Sequence, residues 1–359
     1  MIRGLVLFGM EAREVFIRTE DNGAGAIGLD WKIEGLPEAA AREMQVRVRA
    51  AIGGGSLVDG TTTTIEGYDK GHTSALDLAV VASVVENAGS LRDRQATYYG
   101  EVLMSGEVIP SRGLLTAIAS SRTIVVSGAS DLFSERCLDI RHTLLRSAQT
   151  TIITIANARD LMEGGTNGVL CPDRSWLIDA SKLDQRFDAS LITRILERGL
   201  NVLIVGDPGS GKTMLARQIS GALPPMTSAE ILEVAAVADA AGLMSSFRQT
   251  RPFRAPHHTV SIVGLTGDKT RGHLGEYDLS RGGVLFLDEL PEFSTRSINS
   301  LASRMKSPDA RAPILIAAAN PCSCGYGPPK CKCGYSTVER YTARLQALAD
   351  TLWMETVAI

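Results

Sequence analysis

Apolar and polar positions alternate in short blocks along the first 160 residues, which predicts strands separated by helices. A helix is expected over 37–52, where Met44 and Val48 lie one turn apart on an apolar face. Residues 74–88 are apolar nearly all round and predict a second, buried helix. Strands are predicted where apolar and β-branched residues dominate, at 4–9, 13–19, 123–128 and 151–158.

The second half of the chain contains continuously apolar runs of the kind that form buried strands in a parallel sheet. These runs are 202–205, 284–287 and 313–320, and a helix is predicted before the first of them, at 189–200. Between the two halves, Gly, Asn, Pro and Asp concentrate at 163–176, a composition typical of a break between domains.

We therefore expect an α/β protein of two domains. The predicted bounds are an amino-terminal α+β domain at 1–163, a linker at 164–185 and a domain with a parallel sheet at 186–359. A stretch rich in Gly and Thr at 53–64 predicts a mobile loop in the first domain. The hydrophobic fraction of 44% and the charged fraction of 21% are ordinary for a globular protein.

The charge balance neither favours nor excludes nucleic acid. Lys and Arg number 37 against 40 Asp and Glu, a net charge of −3, so a nucleic-acid surface would have to be a local patch. No apolar run approaches the roughly 18 residues of a membrane span, and no signal-peptide core is found, so we expect a cytoplasmic protein without membrane contact. Thiols stay reduced there, which makes disulfides the least expected use of the six cysteines.

The strongest chemical motif follows the strand at 202–205 and precedes a helical run at 214–220. It fits G-x-x-x-x-G-K-[ST] in the strand–loop–helix context that phosphate binding requires. Glycines let backbone N–H groups face phosphate oxygens, and the helix N-terminus adds positive potential. We expect Lys212 to reach the β- and γ-phosphates of ATP and Thr213 to ligate Mg²⁺. The predicted ATP-binding residues are Gly206, Asp207, Pro208, Gly209, Ser210, Gly211, Lys212 and Thr213.

Two acidic residues and one amide stand at the ends of the other apolar strands. Asp288 and Glu289 follow 284–287, at the sheet edge where open α/β folds bind ligands. We expect Asp288 to act on Mg²⁺ and its waters, and Glu289 to polarise the attacking water. Asn320 ends the run 313–320, where it can contact the γ-phosphate or the attacking water.

Four of the six cysteines lie close together in the order C-x-C, six residues, C-x-C. Four thiolates at this spacing can surround one tetrahedral Zn²⁺. The intervening residues 325–330 are rich enough in Gly and Pro to fold back. Free thiols on a loop and a redox pair are the two alternatives. The candidate ligands are Cys322, Cys324, Cys331 and Cys333.

Together with 253–261, 275–293 and 320–327, these motifs resemble the magnesium-chelatase-like AAA+ ATPases. The nearest resemblance is to the bacterial competence-associated subgroup, whose members act as DNA branch-migration helicases. Residues 35–52 and 70–83 look like the Lon-protease-like amino-terminal domain of that subgroup. The resemblance implies a P-loop ATP hydrolase that works as a homo- or hetero-oligomeric ring. Relatives also often carry a Cys-rich knuckle directly after the sensor asparagine.

By this resemblance, the Walker A, Walker B and sensor 1 roles fall to Lys212 and Thr213, Asp288 and Glu289, and Asn320. Residues 251–280 are similar to an insertion of the family that faces the ring pore. In such a pore, basic side chains would contact the phosphate backbone of DNA without base specificity; a solvated loop is the alternative. The side chains concerned are Arg251, Arg254, His257, His258, Lys269, Arg271 and His273.

Three departures from the family pattern bear on activity. The segment 290–320 is too short for the β-hairpin that relatives insert before sensor 1. Thr351 and Leu352 stand where relatives have a leucine–aspartate–arginine signature. Arg340 or Arg344 could substitute for the arginine finger; an exposed helix face is the alternative for both. The helical lid domain of the relatives is not found, which predicts a truncated chain or a lid from elsewhere.

The amino-terminal domain is not expected to be a peptidase. Lon-type proteases use a Ser–Lys dyad in which the Lys accepts the Ser proton. Ser74 matches the serine position, but the lysine position is Leu115, and Lys70 in a neighbouring loop is more simply a solvated charge. We expect an assembly or binding module instead.

Three functions remain open at this point. The first is an ATP-driven motor that acts on DNA in recombination or natural transformation. The second is a chelatase-type ATPase subunit, which would need a metal-binding partner. The third is a non-hydrolysing, nucleotide-dependent switch or remnant subunit, which the missing arginine and lid favour, although the intact Walker A motif and acidic pair argue against loss of all function. ATP turnover that DNA stimulates would identify the first.

Overall fold

The computed structural model describes residues 1–22, 30–54, 57–91, 95–121, 125–128, 152–155, 189–243, 250–306 and 311–359. The chain divides into two compact units, one of Met1–Arg174 with Ile231–Phe247 and one of Ser175–Glu230 with Arg248–Ile359. The linker predicted at 164–185 lies outside the described residues. In the described part of the chain, the length and apolar character needed to cross a membrane are not combined in any helix.

The first unit is built on a mixed sheet. Its described strands are β1 (Ile2–Phe8), β2 (Glu11–Asp21), β3 (Lys32–Glu34), β4 (Thr61–Glu66), β5 (Thr97–Tyr98), β6 (Glu101–Val102), β7 (Val108–Ile109), β8 (Val125–Gly128) and β9 (Ile152–Ile155). Seven of these described strands pair in the order β3-β4-β2-β1-β5-β8-β9, and β6 and β7 form an antiparallel pair. The pairings β1–β2 and β2–β4 are antiparallel, and the other pairings in the seven-stranded sheet are parallel.

The amino-terminal part of this unit contributes the described helices α1 (Glu38–Ala51), α2 (Asp77–Asn87), which follows a 3₁₀ turn at Thr73–Leu76, and α3 (Leu114–Ser120), and a later helix adds its residues from Ile231 onward. In α1, Met44 and Val48 lie on the buried face, as the four-residue spacing predicts. Residues 77–85 of α2 are all buried, so the prediction of a buried helix is confirmed. The helix packs against β1 and β2.

The prediction of a mobile loop over 53–64 is wrong for its second half. Thr61 opens β4, which pairs with β2 and β3. Thr61 and Thr63 are buried, and Thr63 Oγ1 contacts Thr19 Oγ1 at 2.8 Å and accepts Trp31 Nε1 at 2.9 Å. Threonine is β-branched and favours strands, and its hydroxyl can be buried once it is hydrogen-bonded. A run of four threonines therefore forms a strand.

The second unit contains a parallel sheet. Its described elements are α4 (Ala189–Arg198), β10 (Asn201–Val205), α5 (Lys212–Gly221), β11 (Phe253–Arg254), α7 (Ile262–Thr266), α8 (Glu276–Leu279), β12 (Val284–Leu287), a 3₁₀ turn at Leu290–Glu292, α9 (Thr295–Met305), β13 (Ile314–Ala319), α10 (Tyr335–Thr351) and β14 (Met354–Ala358). The helix α6 (Ser228–Ala240) begins in this unit, and its residues from Ile231 belong to the first unit. The described strands lie in the order β11-β12-β13-β10-β14, and every pairing is parallel. This confirms the predicted mixed α/β class with a parallel sheet.

Alternate residues of the central strands enter two different cores. Val202 and Ile204 pack with Ile195 of α4 and Leu215 of α5. The intervening Leu203 packs into the core that contains residues of α9 and α10. Both faces are thus covered, which is why these strands are apolar throughout. Because the strands are parallel, the carboxyl ends of β10, β12 and β13 meet at one edge of the sheet.

Candidate functional site

A glycine-rich loop joins β10 to α5 at this edge. Gly209 and Gly211 have φ of +81° and +95°, a left-handed conformation that glycine adopts readily. Gly206 is limited by space instead, because a Cβ there would lie 2.6 Å from Ser210 Oγ and 2.7 Å from Ile359 O. Backbone conformation at two positions and close contacts at the third therefore favour glycine at all three positions of the loop.

Lys212 begins α5 and turns its side chain back into the loop. Its Nζ donates to Gly206 O at 2.7 Å, to Asp207 O at 3.0 Å and to Asn320 Oδ1 at 3.0 Å. Burial lowers the pKa of this ammonium, and neighbouring carboxylates, Asp288 foremost, oppose that shift. The lysine after β10 and the asparagine after β13 are thus brought together.

Two oxygen ligands suited to Mg²⁺ lie beside this lysine. Thr213 Oγ1 is 3.5 Å from Asp288 Oδ2. Adjacent oxygens around an octahedral Mg²⁺ lie about 2.9 Å apart, so a small adjustment would let both contact one cation. Asp288 Oδ1 accepts the backbone N–H of Glu289 at 3.0 Å, which leaves Oδ2 for the side facing Thr213. The donor set therefore fits a hard divalent cation.

Glu289 has an unusual backbone and an unexpected neighbour. Its φ of +53° and ψ of +50° are left-handed, which costs a non-glycine residue roughly 1 kcal/mol or more. Its Oε2 lies 3.7 Å from His258 Nδ1, and the His258 ring lies against the His257 ring with centroids 4.0 Å apart and the planes tilted by 35°. The sequence indicated His258 only as a member of a basic segment, because nothing local shows that β11 and β12 are neighbours.

The four clustered cysteines converge on one point. Their Sγ atoms all lie within 4.8 Å of one another, and none of the four is in a disulfide. Four sulfurs around Zn²⁺, each about 2.3 Å from the metal, would lie about 3.8 Å apart, so this cluster fits the ion. A backbone hydrogen bond from Cys324 and further bonds from the other thiols lower the pKa of Cys322 to about 6. Sharing of hydrogen bonds with Cys324 and Cys322 raises the pKa of Cys333 to about 12.

Asp207 belongs to the glycine-rich loop by sequence, but its carboxylate contacts residues 322–333, the segment that carries the four cysteines and is called the cysteine segment below. Oδ1 accepts the Gly327 backbone N–H at 3.0 Å, and Oδ2 lies 3.2 Å from Lys330 Nζ. These two donors, Gly327 first, lower the pKa of Asp207. The sequence predicted Asp207 as a nucleotide ligand through its place in the motif; its side chain binds within the protein, and its backbone carbonyl contacts Lys212.

The predicted basic patch at 251–280 is divided by the structure. Arg251 donates to Pro224 O and Gly282 O and pairs with Glu230, and Arg254 forms a bidentate pair with Glu276. These two guanidinium groups therefore hold the fold together. The side chains of this patch that remain exposed are His257, Lys269, Arg271 and His273, and His257 Nδ1 lies 2.9 Å from Thr259 Oγ1.

The structure also places the two candidates for the arginine finger and the residues compared with the Lon-type dyad. Arg340 and Arg344 are both exposed on α10, where Arg340 Nε donates to Ser336 O and Arg344 donates to Pro291 O. In the first unit, Leu115 is buried and its backbone N–H is bonded to a carboxylate of α6. Lys70 Nζ lies 4.3 Å from the centre of the Phe8 ring.

Comparison with known proteins gives a consistent result. Residues 195–356 match the family model of magnesium chelatase, subunit ChlI. Competence protein ComM of Haemophilus influenzae is 28% identical over 312 residues, which are 81% of this chain and 60% of that protein. YifB of Escherichia coli K12 is 30% identical over 337 residues, 81% of this chain and 62% of that protein. Rv2897c of Mycobacterium tuberculosis H37Rv is 29% identical over 342 residues, 87% of this chain and 67% of that protein.

The chain thus spans 60–67% of the length of these three relatives. Among solved structures, NtrX from Brucella abortus in complex with ATP aligns with 93% of this chain and 69% of its own. Its identity of 12% and TM-score of 0.31 are too low to establish a common fold. By sequence, residues 195–356 match the magnesium-chelatase family model, and the chain is similar over most of its length to ComM and YifB, at 28% and 30% identity.

Proposed function

We propose that this protein binds ATP with Mg²⁺ in the loop at 206–213 and hydrolyses it as part of an AAA+ ring that acts on DNA. The observation that supports this best is the convergence of Lys212 on Gly206 O, Asp207 O and Asn320 Oδ1. These oxygens hold the ammonium where the loop closes on itself. Phosphate oxygens are stronger acceptors and would take over this contact.

Each residue of the site then has one task. Lys212 offsets charge on the β- and γ-phosphates, and backbone N–H groups of the loop bind their oxygens. Thr213 and Asp288 would hold Mg²⁺, which supplies charge neutralisation at the phosphates. Glu289 orients and polarises the attacking water, and Asn320 contacts the γ-phosphate side of the site.

A role on DNA is supported by the name of one relative, competence protein ComM, and by the exposed Lys269, Arg271 and His273. In a ring, each subunit would add these groups to a common channel, where they would contact phosphates without base specificity. The first unit, with a leucine at the lysine position of Lon-type peptidases, would serve assembly or binding. The four cysteines would hold a structural Zn²⁺.

A nucleotide-dependent switch without turnover is the second candidate. It is favoured by Thr351 and Leu352 at the position of the expected arginine signature, and by the bond that engages Arg344 within its own unit. A chelatase-type subunit would use the same ATP site, but would respond to a metal-binding partner rather than to DNA.

The deciding experiment measures ATP hydrolysis by the full chain with Mg²⁺, with and without forked DNA. Glu289→Gln should abolish turnover, whereas Glu292→Gln, at an exposed residue of the 3₁₀ turn that follows Glu289, should not. Turnover that DNA raises supports the motor. Nucleotide binding without turnover, lost in Lys212→Ala, supports the switch. No nucleotide binding at all would refute the proposed site.

A further inference from the structure

The cysteine segment and the glycine-rich loop share one carboxylate. Gly327 and Lys330, which donate to the two oxygens of Asp207, both lie between the inner ligand candidates Cys324 and Cys331. Two consecutive residues of the glycine-rich loop face this segment, because a Cβ on Gly325 would lie 3.5 Å from Pro208 Cγ. The segment that the cysteines enclose therefore holds the start of the glycine-rich loop.

The contacts continue from Asp207 to the centre of the site. Its side chain is bound by the cysteine segment, and its backbone carbonyl accepts Lys212 Nζ at 3.0 Å. Its negative charge also stands next to the place where phosphates would bind, and would repel them. Gly327 N–H and the Lys330 ammonium compensate that charge. The geometry of 325–330 thus bears on both the shape and the electrostatics of the loop.

A metal would fix that geometry. Between the thiols themselves, the structure shows only weak bonds, such as Cys324 Sγ to Cys331 Sγ at 3.5 Å. Four Zn–S bonds would instead tie both ends of 325–330 to one point. Gly327 and Lys330 would then be held in place before a nucleotide arrives, so ordering them would not weaken binding.

We propose that Zn²⁺ at the four cysteines and nucleotide in the glycine-rich loop bind cooperatively, with Asp207 as the residue that links the two sites. This inference rests on the proposed nucleotide site and adds its regulation: nucleotide affinity follows zinc occupancy. Because linkage is reciprocal, nucleotide must raise the affinity for zinc by the same factor. The Lys330 side chain is 66% exposed, which weakens its pair with Asp207. We therefore expect each ligand to raise the affinity for the other about fivefold, the low end of the usual range for coupled sites.

The test measures the affinity of the full chain for a non-hydrolysable ATP analogue, with Zn²⁺ bound and after removal by a chelator. The affinity for Zn²⁺ is measured with and without the analogue. In the wild type, both ratios should be about fivefold. Asp207→Ala should bind each ligand with the same affinity whether or not the other is present, because Gly327 and Lys330 then have no carboxylate to donate to.

Two variants separate the linkage from simple charge effects and from loss of folding on chelation. With zinc bound, Lys330→Ala should weaken analogue binding about twofold to threefold, because the Asp207 carboxylate is less compensated. Lys332→Ala removes the same charge from the same segment but leaves Asp207 paired, and should bind like the wild type. This comparison needs no zinc-free protein.

The inference is overturned if zinc does not bind stoichiometrically, if the two wild-type ratios are both one, or if Asp207→Ala keeps the full ratio. Failure of the proposed function is a different result. In that case neither the zinc-loaded nor the stripped protein binds the analogue, and Lys212→Ala changes nothing.

Discussion

The salt bridge between α1 and α2 makes the most quantitative prediction. Arg47 Nε donates to Asp77 Oδ2 at 2.8 Å, and its terminal nitrogen donates to Oδ1 at 3.0 Å. The Asp77 side chain is 0% exposed. Burial raises the pKa of Asp77 to about 6, against the lowering effect of Arg47. Arg47→Met keeps an apolar stem of similar length and removes only the charge and the donors.

The size of the effect depends on pH, and its sign follows from the raised pKa. The folded protein binds the Asp77 proton more tightly than the unfolded chain, whose Asp pKa is about 3.9. The contribution of Asp77 to stability is therefore fully present below about pH 4, and about 3 kcal/mol of it is lost as pH rises through the folded pKa of about 6. Without Arg47 the folded pKa rises further, so the loss continues to higher pH.

Arg47→Met should thus lower the free energy of unfolding by roughly 3 kcal/mol at pH 8, which is in the range for breaking a buried ion pair. At pH 5, where the Asp77 carboxyl is largely protonated, the loss should be about 1 kcal/mol or less. Urea unfolding followed by Trp31 fluorescence measures it, in a background where Trp176 and Trp353 are Phe. Arg42→Met is the matched control on the same helix. Its pair with Glu38 is 74% and 79% exposed, so its cost should stay below about 0.5 kcal/mol at both pH values. A cost for Arg47→Met that does not change with pH would refute the reasoning.

Three further predictions concern single contacts. Lys212→Ala should weaken binding of a fluorescent ATP analogue at least about tenfold, because one charge–phosphate contact of a half-buried ammonium is lost. Lys306→Ala, at an exposed residue just after α9, should leave the affinity unchanged, and equal affinities of the two variants would contradict the proposed site. His258→Ala should lower kcat about tenfold with little change in KM, because His258 lies against Glu289 and not at the phosphate loop. His273 is exposed, and the same loss of kcat in His273→Ala would show that the effect does not depend on the contact with Glu289. Thr63→Val should lower the free energy of unfolding by about 1–3 kcal/mol, because it removes a hydrogen-bond partner from both Trp31 Nε1 and Thr19 Oγ1. In the same urea titration, Thr64→Val should leave the free energy of unfolding nearly unchanged.

The parts of the fold that local pattern controls were predictable. The helices at 37–52 and 74–88 and the strands after which the site residues stand follow from apolar spacing alone. The edge strand β14 was not predicted, because its residues are only half-buried or exposed, and its polar members Glu355 and Thr356 break the apolar pattern. Its pairing with β10, such as Val202 with Glu355, depends on chain segments far apart in sequence.

The same distinction applies to the candidate site. The glycine-rich loop could be identified because its shape is a local property of Gly209 and Gly211. The neighbours of each side chain could not. Asp207 fits the motif equally well whether its carboxylate faces a ligand or Gly327, and no spacing rule connects His258 with Glu289. These contacts arise only when non-adjacent strands assemble into the sheet.

That dependence has an energetic consequence for the second unit. Lys212, Asp288 and Asn320 follow three different strands, and β13 separates the strands that carry the first two. A ligand that contacts all three residues binds only the assembled sheet, so its binding energy adds to the stability of the sheet by mass action, about 2.7 kcal/mol at one hundred times its Kd. The half-buried position of the Lys212 ammonium imposes a cost on the fold, which the three acceptor oxygens offset only in part, since the pKa of the ammonium stays lowered. An anionic ligand removes that cost because it supplies the opposite charge, and the lysine is therefore better explained as part of a binding site than as a structural residue.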